Sequence, residues 1–127
     1  MIVIDTSAIM AIALDEPSAA ACLKAISEAD RFLISAVTKI ELMIVAARRN
    51  RMEDVEIALQ TIDLEIVPVT EATIDQVTAA YDQWGKGIHP AALNICDCFA
   101  YALAQDRGCP LLFVGDDFAK TDVVGVL

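Results

Sequence analysis

Short apolar segments alternating with helical stretches predict an α/β protein: a three-layer α/β/α sandwich around a short, mostly parallel central sheet. Three observations carry this expectation. MIVI at the N-terminus and LLFV at 111–114 are brief apolar runs, too short for helices and suited to buried strands. The stretches between the candidate strands are long enough for helices and carry helix-starting residues at their heads. The hydrophobic share is 57%, above the usual half, as expected when helices cover both faces of a sheet.

The elements follow in order. Met1 to Ile4 reads as a strand, and Thr6 or Ser7 can cap a short helix through Leu14. Pro17 suits the first turn of a second helix running to about Ala29. RFLIS, ending at Ser35, is a second strand. Ser35 or Thr38 then opens a third helix with Ile40, Met43, Ile44 and Ala47 on one face, closing near Arg48-Arg49-Asn50. A fourth helix spans about Met52 to Ile62. EIVPV, Glu65 to Val69, is a strand whose proline assigns it to an edge. Glu71 to Trp84 is a helix, broken by GKGIHP. The last long helix runs from about Leu93 to Arg107 and stops at Gly108. Leu111 to Val114 is a strand, and the tail VVGVL can supply one more.

The length of 127 residues favours one domain, 1–127. No apolar run reaches the roughly 18 residues of a membrane span, and the N-terminus lacks signal-peptide features, so the expected location is the cytoplasm. A reducing cytosol disfavours disulfides among Cys22, Cys96, Cys98 and Cys109. Cys96 and Cys98 form a C-x-C with His89 as the only histidine, so packing is the better reading than zinc. The net charge of −10 argues against broad phosphate-backbone binding, although divalent cations can reverse the sign locally.

Four acidic places stand out. Asp5 ends the first strand; Glu41 lies in ISAVTKIEL; Asp97 lies in LNICDCFAYALA; Asp116 and Asp117 follow LLFVG. Singly, each has a structural explanation. Asp5 can open a turn or cap the next helix, Glu41 can close a capping box with Thr38, Asp97 can do so with Asn94, and Asp116 can be a turn residue. Together they share placement at strand ends and helix starts, the edge where sites of α/β sheets lie. Carboxylates with no basic residue adjacent in sequence suit a hard cation, Mg²⁺ or Mn²⁺, able to support phosphodiester cleavage.

The stretches IDTSAIMAI, ISAVTKIEL, HPAALNICDCFAYALA and FVGDDFAKTDV resemble those of PIN-domain nucleases, in particular the VapC-type ribonuclease toxins of toxin–antitoxin pairs, over essentially the whole chain. The resemblance implies a Mg²⁺-dependent endoribonuclease that cleaves RNA through metal-activated water. Its metal-holding and catalytic residues would be Asp5, Glu41, Asp97 and Asp116, with support from Thr6, Ser7 and Asp117, and with Asp122 as another candidate for the fourth ligand. It also implies a small VapB-like antitoxin, a homodimer, and operator DNA reached only through the antitoxin. The alternative is a catalytically silent PIN-fold module acting only through its protein partner. The apolar helices around residues 36–62 are the expected interface.

Two other enzyme classes fit less well. A phosphorylation receiver wants its acid pair after the first strand, whereas here the pair comes late. A D-x-D phosphatase fails because Thr6-Ser7 follow Asp5. For RNA, the densest basic group is Lys39, Arg48, Arg49 and Arg51, with Lys86, His89 and Lys120 elsewhere. Tyr81, Trp84 and Tyr101 are better read as core than as base-stacking platforms.

Overall fold

The computed structural model describes residues 1–127. In chain order the elements are β1 (Ile2–Ile4), α1 (Thr6–Ala13), α2 (Ala19–Glu28), β2 (Phe32–Ser35), α3 (Ala36–Arg48), α4 (Met52–Gln60), β3 (Leu64–Val67), α5 (Glu71–Trp84), α6 (Ile95–Arg107) and β4 (Leu111–Leu112). A short 3₁₀ turn, Phe118–Lys120, follows. The strands form one sheet in the order β3-β2-β1-β4, and every pairing is parallel.

Alternation along the strands decides how this sheet is covered, because successive side chains point to opposite faces. Ile2 and Ile4 of β1, Phe32 of β2 and Leu112 of β4 pack with α1, α2, α3 and α4. Val3, Leu33 and Leu111 pack with α5 and α6. Both faces are therefore buried at β1, β2 and β4, as parallel sheets require, whereas β3 is partly exposed, with Ile66 at 53%. Three layers result, with four helices on one side and two on the other. β3 is an edge strand, as Pro68 predicts, and the proline falls just past its end.

Helix ends follow local chemistry. α5 starts at a capping box between Thr70 and Thr73. α6 ends at Gly108, whose φ of 59° is left-handed and cheap for glycine.

Three expectations need correction. Pro17 precedes α2 by a turn rather than lying in it: Asp15 takes φ 50° and Ser18 is the N-cap. Asp5 itself caps α1, not Thr6 or Ser7. The tail adds a single parallel bridge, Gly125 to Leu111, rather than a further strand. On α3, Thr38, Leu42 and Ala46 are buried, and Ile40 and Ile44 share an outward face, 57% and 52% exposed. Ser35 both ends β2 and caps α3, so the strand fixes the helix's rotation and turns that apolar stripe outward.

Candidate active site

The carboxyl ends of β1, β2 and β4 open onto one edge, and the sequence places an acid or its carrier helix after each. Asp5 follows β1 and is only 5% exposed. Its Oδ2 accepts from the Ser7 amide at 3.0 Å and from the Ser7 hydroxyl at 2.6 Å. These bonds and the positive end of α1 answer the cost of burying a carboxylate without a basic partner. Both go to Oδ2, which leaves Oδ1 for the pocket. Ser7 Oγ also accepts from the Val114 amide at 3.0 Å, tying the loop after β4 to the same corner.

Glu41 lies in the second turn of α3. The Ser35 cap removes the capping-box explanation for it, since Thr38 is inside the helix rather than at its start. Instead Glu41 Oε1 accepts from Thr6 Oγ1 at 2.7 Å, across 35 residues of sequence. Asp97 does form its capping box: Asn94 Oδ1 accepts from the Asp97 amide at 2.8 Å, and Asp97 Oδ2 accepts from the Asn94 amide at 3.0 Å. The cap uses one oxygen of Asp97 and leaves the other.

The electrostatics show which acids share a field. Burial raises the Asp5 pKa against its serine hydrogen bonds, and the charge of Glu41 adds to the rise. Asp97 is pushed up to about 6, first by burial; the Asn94 amide opposes this, and Asp5, Glu41 and Asp117 reinforce it. Of the late pair, the charge of Asp117 adds to the rise at Asp97. Gly115, at φ 107°, makes the left-handed turn that precedes both acids. Both are exposed. Asp122 is taken up elsewhere: it accepts from Tyr101 Oη at 2.6 Å and Gln105 Nε2 at 3.3 Å, toward the C-terminal half of α6.

Asp5, Glu41, Asp97 and Asp117 have no ion pair with a basic side chain; the salt bridges lie at other acids. The donors are all oxygen, which fits a hard divalent cation. They are splayed rather than caged: no three His, Cys, Asp or Glu side chains stand close enough to enclose an ion together. Mutual repulsion among like charges accounts for that spacing.

The PIN domain family model matches residues 2–124. The chain belongs to the PIN-domain family. Ribonuclease VapC30 of Mycobacterium tuberculosis is 42% identical over 130 residues, covering 98% of this chain and 97% of that protein. Ribonuclease VapC of Mycolicibacterium smegmatis is 39% identical over 127 residues and 98% of each. Among solved structures, the M. tuberculosis VapC20, a sarcin-ricin loop cleaving toxin, aligns with a TM-score of 0.78 at 15% identity, over 98% of this chain and 97% of that one. A chain from a Klebsiella pneumoniae toxin–antitoxin complex aligns with a TM-score of 0.73 at 20% identity, over 100% and 98%. The structural likenesses show the PIN fold; the sequence relatives show that this PIN domain is of the VapC type.

One site neighbour of this PIN domain is not evident from spacing. Cys96 is half-buried beside Glu41, Asp97 and Asp5, and burial first, then Glu41, pushes its thiol up to about 11. It therefore stays a neutral thiol. Its only sequence signal is its place directly before Asp97. Cys98 is fully buried in the layer of α5 and α6. Lys39, Arg48, Arg49, Lys86 and Lys120 form no ion pair, whereas Arg51 pairs with Asp54 at 3.3 Å.

Proposed function

We propose that this PIN domain is a Mg²⁺-dependent endoribonuclease, with Mn²⁺ as a substitute, and the toxin of a VapBC-like toxin–antitoxin pair. The single observation that carries the reading is the group of carboxylates without a basic partner. Asp5 is buried without a cation, and its charge and that of Glu41 help to raise Asp97 to about 6. The relatives at about 40% identity are named ribonucleases.

In this proposal Asp5, Glu41 and Asp97 hold the ion, and Asp117 or Asp116 completes the shell. A cation bound there supplies Lewis acidity toward water and the phosphodiester. The chain's own residues set the geometry. Ser7 fixes the Asp5 rotamer by holding Oδ2. Thr6 donates to Glu41 and aims it at the same corner. The Asn94 amide holds Asp97. Each acid thus has one oxygen tied by the fold and one free, an arrangement in which neighbouring groups orient the ligands.

The partners proposed are an antitoxin and a second copy of the chain, acting in the cytoplasm. Ile40 and Ile44 on α3 and Ile57 on α4 are each more than half exposed, which supports a partner surface on that side. One structural neighbour is VapBC2 of Rickettsia felis bound to a promoter DNA fragment. By that analogy, operator DNA is reached through the antitoxin. No helix is long and apolar enough to cross a membrane.

A second reading, the silent PIN module, is favoured by the splayed acids. Mapping RNA ends produced by the purified chain, freed of partner, separates the two. Defined new ends with Mg²⁺, absent with EDTA and with Asp5→Asn, are expected for the nuclease. Ends that persist in EDTA, or no ends in Mg²⁺, overturn it.

A further inference from the structure

Between the start of α5, the end of β3 and the later turns of α6 lies a cavity of about 230 Å³. Val67, Phe99 and Leu103 give it apolar lining; Gln76, Asp106 and Arg107 give it polar lining. The polar groups are linked. Gln76 Nε2 donates to Asp106 Oδ1 at 2.9 Å, and Arg107 Nε lies 3.6 Å from Asp106 Oδ2. Asp106 is thereby held in place, while Gln76 Oε1 and the Arg107 terminal nitrogens remain free for a ligand.

The cavity is smaller than the roughly 300 Å³ at which pockets for drug-sized molecules begin, so it suits one planar ring system. Its place matters as much as its size. Cys96, Phe99, Leu103 and Asp106 recur at helical spacing on one face of α6. Cys96 is the residue beside Glu41. At about 1.5 Å per residue, Phe99 is about 4.5 Å from Cys96 along the axis and Asp106 about 15 Å. One helix face therefore leads from the acids into the cavity.

We propose that this cavity is a base subsite that takes an unpaired guanine beside the cut, an inference that rests on the ribonuclease reading. Single-stranded RNA is recognised by stacking splayed bases on aromatic rings and reading their edges. Guanine alone combines two adjacent donors, N1–H and the N2 amino group, with two adjacent acceptors, O6 and N7. The Asp106 carboxylate accepts from the first pair and the Arg107 guanidinium donates to the second. Phe99 and Leu103 flank the ring. Cytosine and adenine lack the O6/N7 pair, and uracil lacks the paired donors.

Amide-resolved NMR titrations of the full chain with GMP, AMP, CMP and UMP test this without requiring cleavage. GMP is expected to shift the Gln76 side-chain amide and the Arg107 Nε–H, with at least fivefold tighter binding than the other three. Asp106→Asn should erase the preference, and Asp75→Asn, outside the cavity on α5, should retain it. Inosine monophosphate, which lacks the N2 amino group, should bind more weakly than GMP. Equal shifts from all four nucleotides, a preference for another base, or no shift at these residues overturns the subsite. Shifts there from an antitoxin peptide but not from GMP also overturn it. Failure of Mg²⁺-dependent cleavage alongside GMP binding counts against the ribonuclease reading and not against the cavity.

Discussion

Asp5 and Asp97 both stand at helix N-termini, yet they serve those helices from opposite sides of the cap. Asp5 is the cap of α1, accepting from the amide and hydroxyl two residues ahead. Asp97 lies inside α6 and reaches back to the amide of Asn94, which caps the helix by itself with its own side chain. Asp5 is buried; Asp97 is half-buried. At β1–α1, one carboxylate therefore carries both the fold and the proposed chemistry. At the start of α6 the two duties are divided between Asn94 and Asp97, so mutation can separate them.

The largest expected effects break the comparison at Asp5. Asp5→Ala removes a helix cap, at about 1–2 kcal/mol of stability, and one proposed metal ligand. Asp5→Asn keeps an acceptor for Ser7 and should melt at or above the parent temperature, since it relieves a buried charge. Both variants should lose RNA cleavage by on the order of 10³-fold. Asp5→Asn cleaving within tenfold of the parent would sink the site. Melting curves beside a cleavage assay separate the fold's share from the site's.

A smaller effect is expected where a neighbour orients an acid. Thr6→Val keeps the volume but removes the 2.7 Å donor to Glu41. Mg²⁺ affinity, read from the metal-induced rise in melting temperature, should fall about 10- to 100-fold, the usual cost of losing a ligand's supporting hydrogen bond. Thr6→Ser should recover most of it. Smaller again is the contrast within the late pair. Asp117→Asn should weaken Mg²⁺-dependent stabilisation by about tenfold, and Asp116→Asn by less than about twofold, because the charge of Asp117 acts on Asp97. The reverse order would favour Asp116 as the fourth ligand.

The comparison also shows what a linear sequence reveals. Asp5 was legible because an acid closing an apolar strand needs explanation. The span of α5, Glu71–Trp84, was legible to its ends because Thr70 and Gly85 mark them locally. The shared face of Ile40 and Ile44 was legible from their helical spacing, and the β2 junction sets the rotation that turns it outward. The choice between Asp116 and Asp117 was not legible in the sequence, since adjacent residues have the same chemistry. The Thr6–Glu41 bond depends on two elements meeting, and no local pattern encodes it.

The smallest effect, and the sharpest test of divided duty, is the metal-free stability of Asp97→Asn. Asp97 titrates at about 6 in the folded protein against 3.8 ordinarily. The folded state therefore binds this proton more tightly than the unfolded state does. Between about pH 4 and pH 6 the folded protein holds more protons, so this group's contribution to stability falls as pH rises, and it levels off above 6. The penalty at neutral pH is on the order of 1 kcal/mol once partial exposure is allowed for. Asn carries no such charge and can still accept from the Asn94 amide. In EDTA, the variant and the parent should melt together near pH 4, and the variant should melt a few degrees higher at pH 7. In Mg²⁺ at pH 7 the order should reverse, because only the parent gains from binding the ion. That gain should fade below about pH 6, as protons compete for the Asp97 carboxylate. If Asp97 acts only as a cap, the variant will keep the parent's Mg²⁺ response at pH 7.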